Sequence, residues 1–203
     1  MKNEPTVFII DDDQEVREAL QLLMESVGLS VRSFSSATEF LDQFDSSLPG
    51  CLVLDVRMPG MSGLDLQAKL AEEPLHPPVI IITGHGDVPM AVRAVRNGAL
   101  DFIEKPFNDQ SLLDSVHRAL EQDSQQRGEA TILADLRARY DRLTPREQEV
   151  LERVVAGKRN KVIASEMFVS QSTVEAHRAK VMEKMEANTL SDLMRMMISL
   201  EEY

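Results

Sequence analysis

Cysteine is almost missing from this chain: Cys51 is the only one in 203 residues, so no intramolecular disulfide can form. It sits in the apolar run Cys51-Leu52-Val53-Leu54, where a reduced, buried thiol is expected and redox chemistry is not. Long apolar runs are missing too. The longest, such as residues 79–82, fall far short of the ~20 residues that span a bilayer, and residues 1–5 carry no basic n-region of a secretory signal. A cytoplasmic protein with no membrane partner is expected. No internal repeat is visible. The length and a hydrophobic content of 43% suffice for two modest domains of ~100–150 residues or less.

The chain also lacks an overall basic excess, since its net charge is −12. Spread evenly, that charge would exclude nucleic acid as a partner; it is not spread evenly. Residues 1–122 hold 9 basic and 20 acidic side chains, residues 123–142 hold 4 of each, and residues 143–203 hold 9 and 10. Within residues 157–184 six basic groups (Lys158, Arg159, Lys161, Arg178, Lys180, Lys184) face three acidic ones, a patch suited to phosphates. The same charges also suit an ordinary solvated helix face.

The first 120 residues or so alternate short β-like runs with helix-like segments, the pattern of a parallel sheet covered on both faces. Strands are predicted at Thr6–Ile10, Ser30–Phe34, 51–54, Val79–Thr83 and Asp101–Glu104. The first, third and fourth are nearly all apolar, as central parallel strands are, and the other two read as edges. Val16, Leu20, Leu23, Met24 and Val27 recur at helical spacing, with Gly28 as their C-terminal stop; Leu112, Leu113, Val116 and Leu120 form a second stripe. The polar segment 122–128 ends in Gly128 and reads as a break, followed by a short amphipathic connector through Leu133, Leu136, Tyr140 and Leu143. The expected division is therefore 1–122, a helical linker at 123–142, and a second domain at 143–203.

That second domain opens on Thr144-Pro145-Arg146-Glu147, a capping box with proline at the first helical position. Four helices are predicted at 145–155, 160–167, 171–185 and 190–200, with no strand of conviction. The short second helix, tight turn and longer third helix have helix-turn-helix proportions. On the third, Ser172, Thr173, His177, Arg178 and Lys180 can meet phosphates or base edges while Val174, Val181 and Met185 face the core.

Polar groups gather at four strand ends in the first domain. Asp11, Asp12 and Asp13 follow the first strand, Asp55 the third, Thr83 closes the fourth, and Lys105 follows the fifth. In a 2-1-3-4-5 strand order, the switch point between the first and third strands brings Asp11, Asp12 and Asp55 together, at the edge where open α/β sheets bind ligands. Clustered carboxylates repel unless a hard cation such as Mg²⁺ neutralises them. With such an ion, Asp55 could attack a phosphoryl donor, Lys105 could pair first with Asp55 and then with a phosphoryl oxygen, and Thr83 could donate to another. Taken singly, each group has a plainer explanation: a helix cap, a turn residue, a surface charge.

The sequences Ile9-Ile10-Asp11-Asp12-Asp13, Leu54-Asp55-Val56-Arg57-Met58-Pro59-Gly60, Ile82-Thr83-Gly84-His85-Gly86 and Asp101-Phe102-Ile103-Glu104-Lys105-Pro106-Phe107 resemble response-regulator receiver domains. The resemblance implies a flavodoxin-like, doubly wound fold and Asp55 as the phosphorylated residue. It implies direct Mg²⁺ ligation by Asp12, Asp55 and the Arg57 main-chain carbonyl, with Asp11 acting through water and Mn²⁺ able to substitute. It also implies a cis Lys105–Pro106 peptide and a switch in which Thr83 moves and the Phe102 ring follows.

Leu143-Thr144-Pro145-Arg146-Glu147, Gly157, Asn160-Lys161, Ile163-Ala164 and Ser172-Thr173-Val174-Glu175-Ala176-His177-Arg178 are similar to LuxR-type four-helix DNA-binding domains, and the combination to the FixJ branch of two-component regulators. By that resemblance Ser172, Thr173, Glu175, Ala176, His177, Arg178 and Lys180 enter the major groove, and Asn160, Lys161, His177 and Lys184 lie near the DNA backbone. Expected partners are a sensor histidine kinase, double-stranded DNA, RNA polymerase and, on phosphorylation, a second copy of the chain. The expected output is transcriptional activation, by dimerisation or by release of an interdomain contact. Two other readings compete with this one. A phosphohydrolase of the haloacid dehalogenase type would use Asp11 as nucleophile, but Glu15 stands where that family carries Thr or Val. A pure docking module would not need the Asp, Thr and Lys set.

Overall fold

A computed structural model describes residues 4–73, 75–84 and 86–201; His85 of the Thr83 motif lies outside the described residues. Contacts divide the chain into two compact units, residues 1–127 and 128–203.

In the first unit, strands and helices alternate as β1 (Thr6–Ile10), α1 (Gln14–Ser26), β2 (Ser30–Phe34), α2 (Ala37–Gln43), β3 (Gly50–Asp55), α3 (Gly63–Leu70), β4 (Val79–Thr83), α4 (Val88–Arg96) and β5 (Asp101–Glu104). All five strands are parallel in the order β2-β1-β3-β4-β5, so the expected flavodoxin-like topology is the one observed. Alternation along the three central strands builds two cores. Phe8, Ile10, Leu52, Leu54 and Ile81 pack on the side of α2, α3 and α4, whereas Val7, Ile9, Cys51, Val53, Ile80 and Ile82 pack on the side of α1 and the helix after β5. Burial pushes the Cys51 thiol far above its ordinary range, with the Asp123 charge adding to the effect, so this sulfur stays protonated and inert.

The helix after β5 departs from expectation. α5 runs without interruption from Asp109 to Asp141, through the segment read as a break. A lone glycine such as Gly128 costs a helix only about 1 kcal/mol relative to alanine, and the turn before it is anchored. The Asp123 carboxylate, 1% exposed, accepts the Gly50 N–H at 2.9 Å and both oxygens bind Arg127 Nε, at 2.9 and 3.0 Å. Arg127 also donates to the Ser46 and Leu48 carbonyls at 2.9 and 2.7 Å. These contacts carry the first unit to residue 127 instead of 122.

The second unit adds α6 (Pro145–Val155), α7 (Asn160–Met167), α8 (Gln171–Met185) and α9 (Leu190–Glu201), all within a residue of the predicted bounds. The Thr144–Glu147 capping box is formed in both directions. Val150, Leu151, Ile163, Val174, Val181, Met185 and Leu193 make its core.

Candidate functional site

The carboxyl ends of β1, β3 and β4 converge because the strands run parallel in register, with Ile10 beside Leu54 and Asp55 beside Ile82. Asp11 and Asp55 are buried, 1% and 6% exposed, and share one cation: Lys105 Nζ lies 2.7 Å from Asp11 Oδ2 and 3.0 Å from Asp55 Oδ1. The Lys105 main-chain N–H donates to the Thr83 carbonyl at 2.8 Å, which ties the end of β5 to the end of β4. A cis peptide joins Lys105 to Pro106.

Each carboxylate is further oriented. Asp11 Oδ1 accepts the Asp13 N–H at 2.9 Å, and its carbonyl accepts Arg17 Nη1 at 2.7 Å. Asp55 Oδ2 accepts the Arg57 N–H at 2.6 Å. Gly63 makes this loop possible, since a β-carbon there would fall 2.0 Å from the Asp55 carbonyl oxygen. Burial raises the Asp55 carboxyl pKa; Lys105 pulls it down by hydrogen bond and charge, the nearby Asp11 pushes it up, and the net direction is upward. Burial alone would lower the Lys105 pKa, but the bonds and charges of Asp11 and Asp55 outweigh it and the ammonium is held above the ordinary lysine range.

Asp13 caps α1 through the Glu15 and Val16 N–H groups, a structural task that leaves it outside the pocket. Asp12 is exposed and borders an open cleft with Arg57 and Met58. Among the described residues no three acidic, histidine or cysteine groups stand together as a ready ion cage. The oxygen donors nonetheless suit Mg²⁺, which retains waters and uses one or two carboxylates. Two buried carboxylates meeting at a single ammonium leave room for a further positive charge.

In the second unit, α7 and α8 meet through Val169 and Ser170, whose hydroxyl caps α8 by accepting the Thr173 N–H at 3.1 Å. Ser172, Glu175, Ala176, Ala179 and Lys180, all within the expected groove-facing span 172–180, are exposed on α8, together with Gln171 just before it, and residues 172, 175, 176 and 179 share one helical face. Thr173, His177 and Arg178 are half-buried, and Arg178 Nη1 donates to Asn160 Oδ1 at 2.9 Å. Lys161 is exposed on α7. Lys184, expected near DNA phosphates, is engaged within its own unit: its ammonium lies 2.6 Å from the buried Glu147 carboxylate and 3.2 Å from the Arg142 carbonyl.

An acid, threonine and lysine set at the carboxyl edge of a 2-1-3-4-5 sheet, followed in the chain by a helix-turn-helix, defines a signal receiver coupled to a DNA-binding output. Comparison with known proteins agrees. The receiver domain of response regulators matches residues 7–117, and the luxR family of bacterial regulatory proteins matches residues 141–197. The chain is 47% identical to the response regulator protein TmoT of Ectopseudomonas mendocina, over 98% of its length and 90% of that protein. It is 42% identical to the transcriptional regulatory protein FixJ of Bradyrhizobium diazoefficiens, over 97% and 96%. Among solved structures, the response regulator StyR covers 98% of this chain and is itself fully covered, with 41% identity and a TM-score of 0.87. The chain belongs to the two-component response regulators that join a receiver domain to a LuxR-type DNA-binding domain. Membership implies a histidine kinase partner and DNA as target, and receiver domains generally bind Mg²⁺ at the phosphorylation site. No helix among the described residues is long and apolar enough to cross a membrane.

Proposed function

We propose that Asp55 accepts the phosphoryl group and that its modification controls DNA binding by the second unit. The observation that carries this reading is the shared Lys105 ammonium, which holds Asp55 at the sheet edge beside a second buried carboxylate. In the transfer, an Asp55 carboxylate oxygen attacks phosphorus, a phosphorus–oxygen bond forms, and the bond to the donor breaks. With a kinase phosphohistidine that bond is phosphorus–nitrogen, and the imidazole leaves with the electron pair. Lys105 follows the charge from the carboxylate to a phosphoryl oxygen, and the Thr83 hydroxyl supplies a donor to another. Mg²⁺, held by Asp12, Asp55 and the Arg57 carbonyl with Asp11 behind water, would offset charge on the transferring group. Mn²⁺ has the same donor preference and can replace it.

Movement of Thr83 toward Asp55 withdraws support from the Phe102 ring beside it, and the ring carries the change to α4 and β5. The outcome at DNA is dimerisation or release of an interdomain contact, with transcriptional activation and contact to RNA polymerase as the output. The DNA-facing set is Asn160, Lys161, Ser172, Thr173, Glu175, Ala176, His177, Arg178 and Lys180. Glu175, exposed on α8, would accept from a cytosine amino group or deter other sequences. Lys184 serves chiefly to hold Glu147.

Incubation with acetyl phosphate and Mg²⁺, followed by trapping and peptide mapping, tests the chemistry. Label on Asp55, lost on chelation and in Asp55→Asn, is expected. Label on Asp11 instead would favour the phosphohydrolase reading and overturn this one.

A further inference from the structure

Gly86 lies in the connection between β4 and α4, and nothing in its backbone demands a glycine. Its φ is outside the left-handed region that Gly28, Gly60, Gly98 and Gly157 occupy. What demands a glycine is space. A β-carbon at residue 86 would stand 3.1 Å from Phe102 Cε1, 3.4 Å from Phe102 Cζ and 3.5 Å from Thr83 Cγ2. The first distance is tighter than packed side chains ordinarily tolerate, and the last is ordinary contact. The two side chains nearest the missing methyl are thus those of the proposed switch. Gly84, two residues earlier in the same connection, has nothing within 4 Å of the corresponding position.

The Phe102 ring can yield. It is half-buried and packs at the margin of the core on the α3 and α4 side, so a methyl at residue 86 would displace the ring and leave the sheet intact. The seat on Gly86 also belongs to one arrangement of the pocket. Here Asp55 is paired with Lys105, and the Thr83 methyl lies under the same site as the ring. When the Thr83 hydroxyl swings toward a phosphoryl group, the packing around this seat changes.

We propose that Gly86 is a positioning residue of the switch: the absence of its side chain makes the seat that holds Phe102 in the ion-paired arrangement, and so sets the balance between the two states. This rests on the Thr83 and Phe102 reading above and adds a residue to it. Filling the seat penalises one state. By linkage, a variant that disfavours the ion-paired arrangement must bind any phosphoryl mimic at Asp55 more readily.

The test is a titration of the full chain with beryllium fluoride in Mg²⁺, a stable mimic of an aspartyl phosphate, read by hydrogen exchange of residues 88–104. Gly86→Ala is expected to fold as the parent does and to lower the half-saturating concentration roughly fivefold, at the low end for coupled sites. Gly84→Ala, which removes a glycine from the same connection without touching the ring, is expected to titrate as the parent. In a Phe102→Ala background the effect of Gly86→Ala is expected to vanish, because the contact is gone. An equal shift in both glycine variants would assign the effect to loop stiffness and overturn the proposal. So would a shift that persists without the ring, a rise in the half-saturating concentration, or no shift at all. Failure of the parent chain to respond through Asp55 would instead remove the proposed function, and this inference with it.

Discussion

Asp123 shows how much one side chain can decide. Its carboxylate is buried beside the first residue of β3 and is answered by the Gly50 N–H and a two-oxygen contact from Arg127. Removing one partner of a buried, hydrogen-bonded pair typically costs ~3–5 kcal/mol, because the other charge stays behind. Asp123→Ala is therefore expected to lower the stability of the receiver unit by roughly that amount, seen in denaturant unfolding as a lower midpoint. A cost below about 1 kcal/mol would mean that the pair anchors nothing. No sequence signal pointed to this residue. A polar run containing one glycine reads as a break, and only the arrival of β3 against α5 supplies the N–H that makes burial of Asp123 tolerable. Asp11, Asp55, Thr83 and Lys105 were legible because each stands at or just past the end of a predicted strand, and a 2-1-3-4-5 order puts those ends on one edge of the sheet. Their mutual orientation was not, and neither was the exposed placement of Asp12.

Among the elements, α6 was legible to the residue because capping is local: Thr144, Pro145 and Glu147 carry their signal within four positions. Its tertiary use was not. Lys184, thirty-seven positions away, bonds to Glu147, and with the Thr144 N–H it holds the Glu147 carboxyl below the usual range. A carboxyl whose folded pKa is depressed adds stability above its unfolded pKa and loses it as pH falls through the folded one. Thermal unfolding of the second unit is thus expected to weaken with acid in that window. Glu147→Gln should flatten this dependence and cost ~1 kcal/mol at neutral pH through the lost charge on the pair with Lys184, since the amide oxygen can still accept the Thr144 N–H. An unchanged pH profile in the variant would contradict the assignment. The turn between α7 and α8 carries strain of another kind: Phe168 is 94% exposed and left-handed at φ 56°. Phe168→Asn keeps a residue that tolerates this conformation and is expected to stabilise the second unit by up to about 1 kcal/mol. A loss of stability would show that the ring contributes packing despite its exposure.

Over the whole molecule, acid and base are segregated along the chain, with nearly all the net negative charge in residues 1–122 and a local basic excess in residues 157–184. This lets one acidic protein carry a DNA-binding surface, and it makes that binding salt-dependent. Replacing exposed Lys161 by alanine is expected to lower the slope of log affinity against log salt by ~1 on random-sequence duplex DNA. Lys184→Ala is expected to leave the slope near the parent value and to cost stability instead. Equal slopes for the parent and Lys161→Ala would remove Lys161 from the phosphate-facing set.

On the proposed reading, phosphorylation of Asp55 governs DNA binding by the second unit. The affinity of the full chain for duplex DNA, with and without acetyl phosphate in Mg²⁺, in the parent and in Asp55→Asn, decides it. A gain of roughly tenfold or more in the parent, within what joining two binding units can supply, and none in Asp55→Asn is the predicted result. The same gain in both proteins, or equal affinity in all four samples with Asp55 shown to be labelled in the parent, would contradict it.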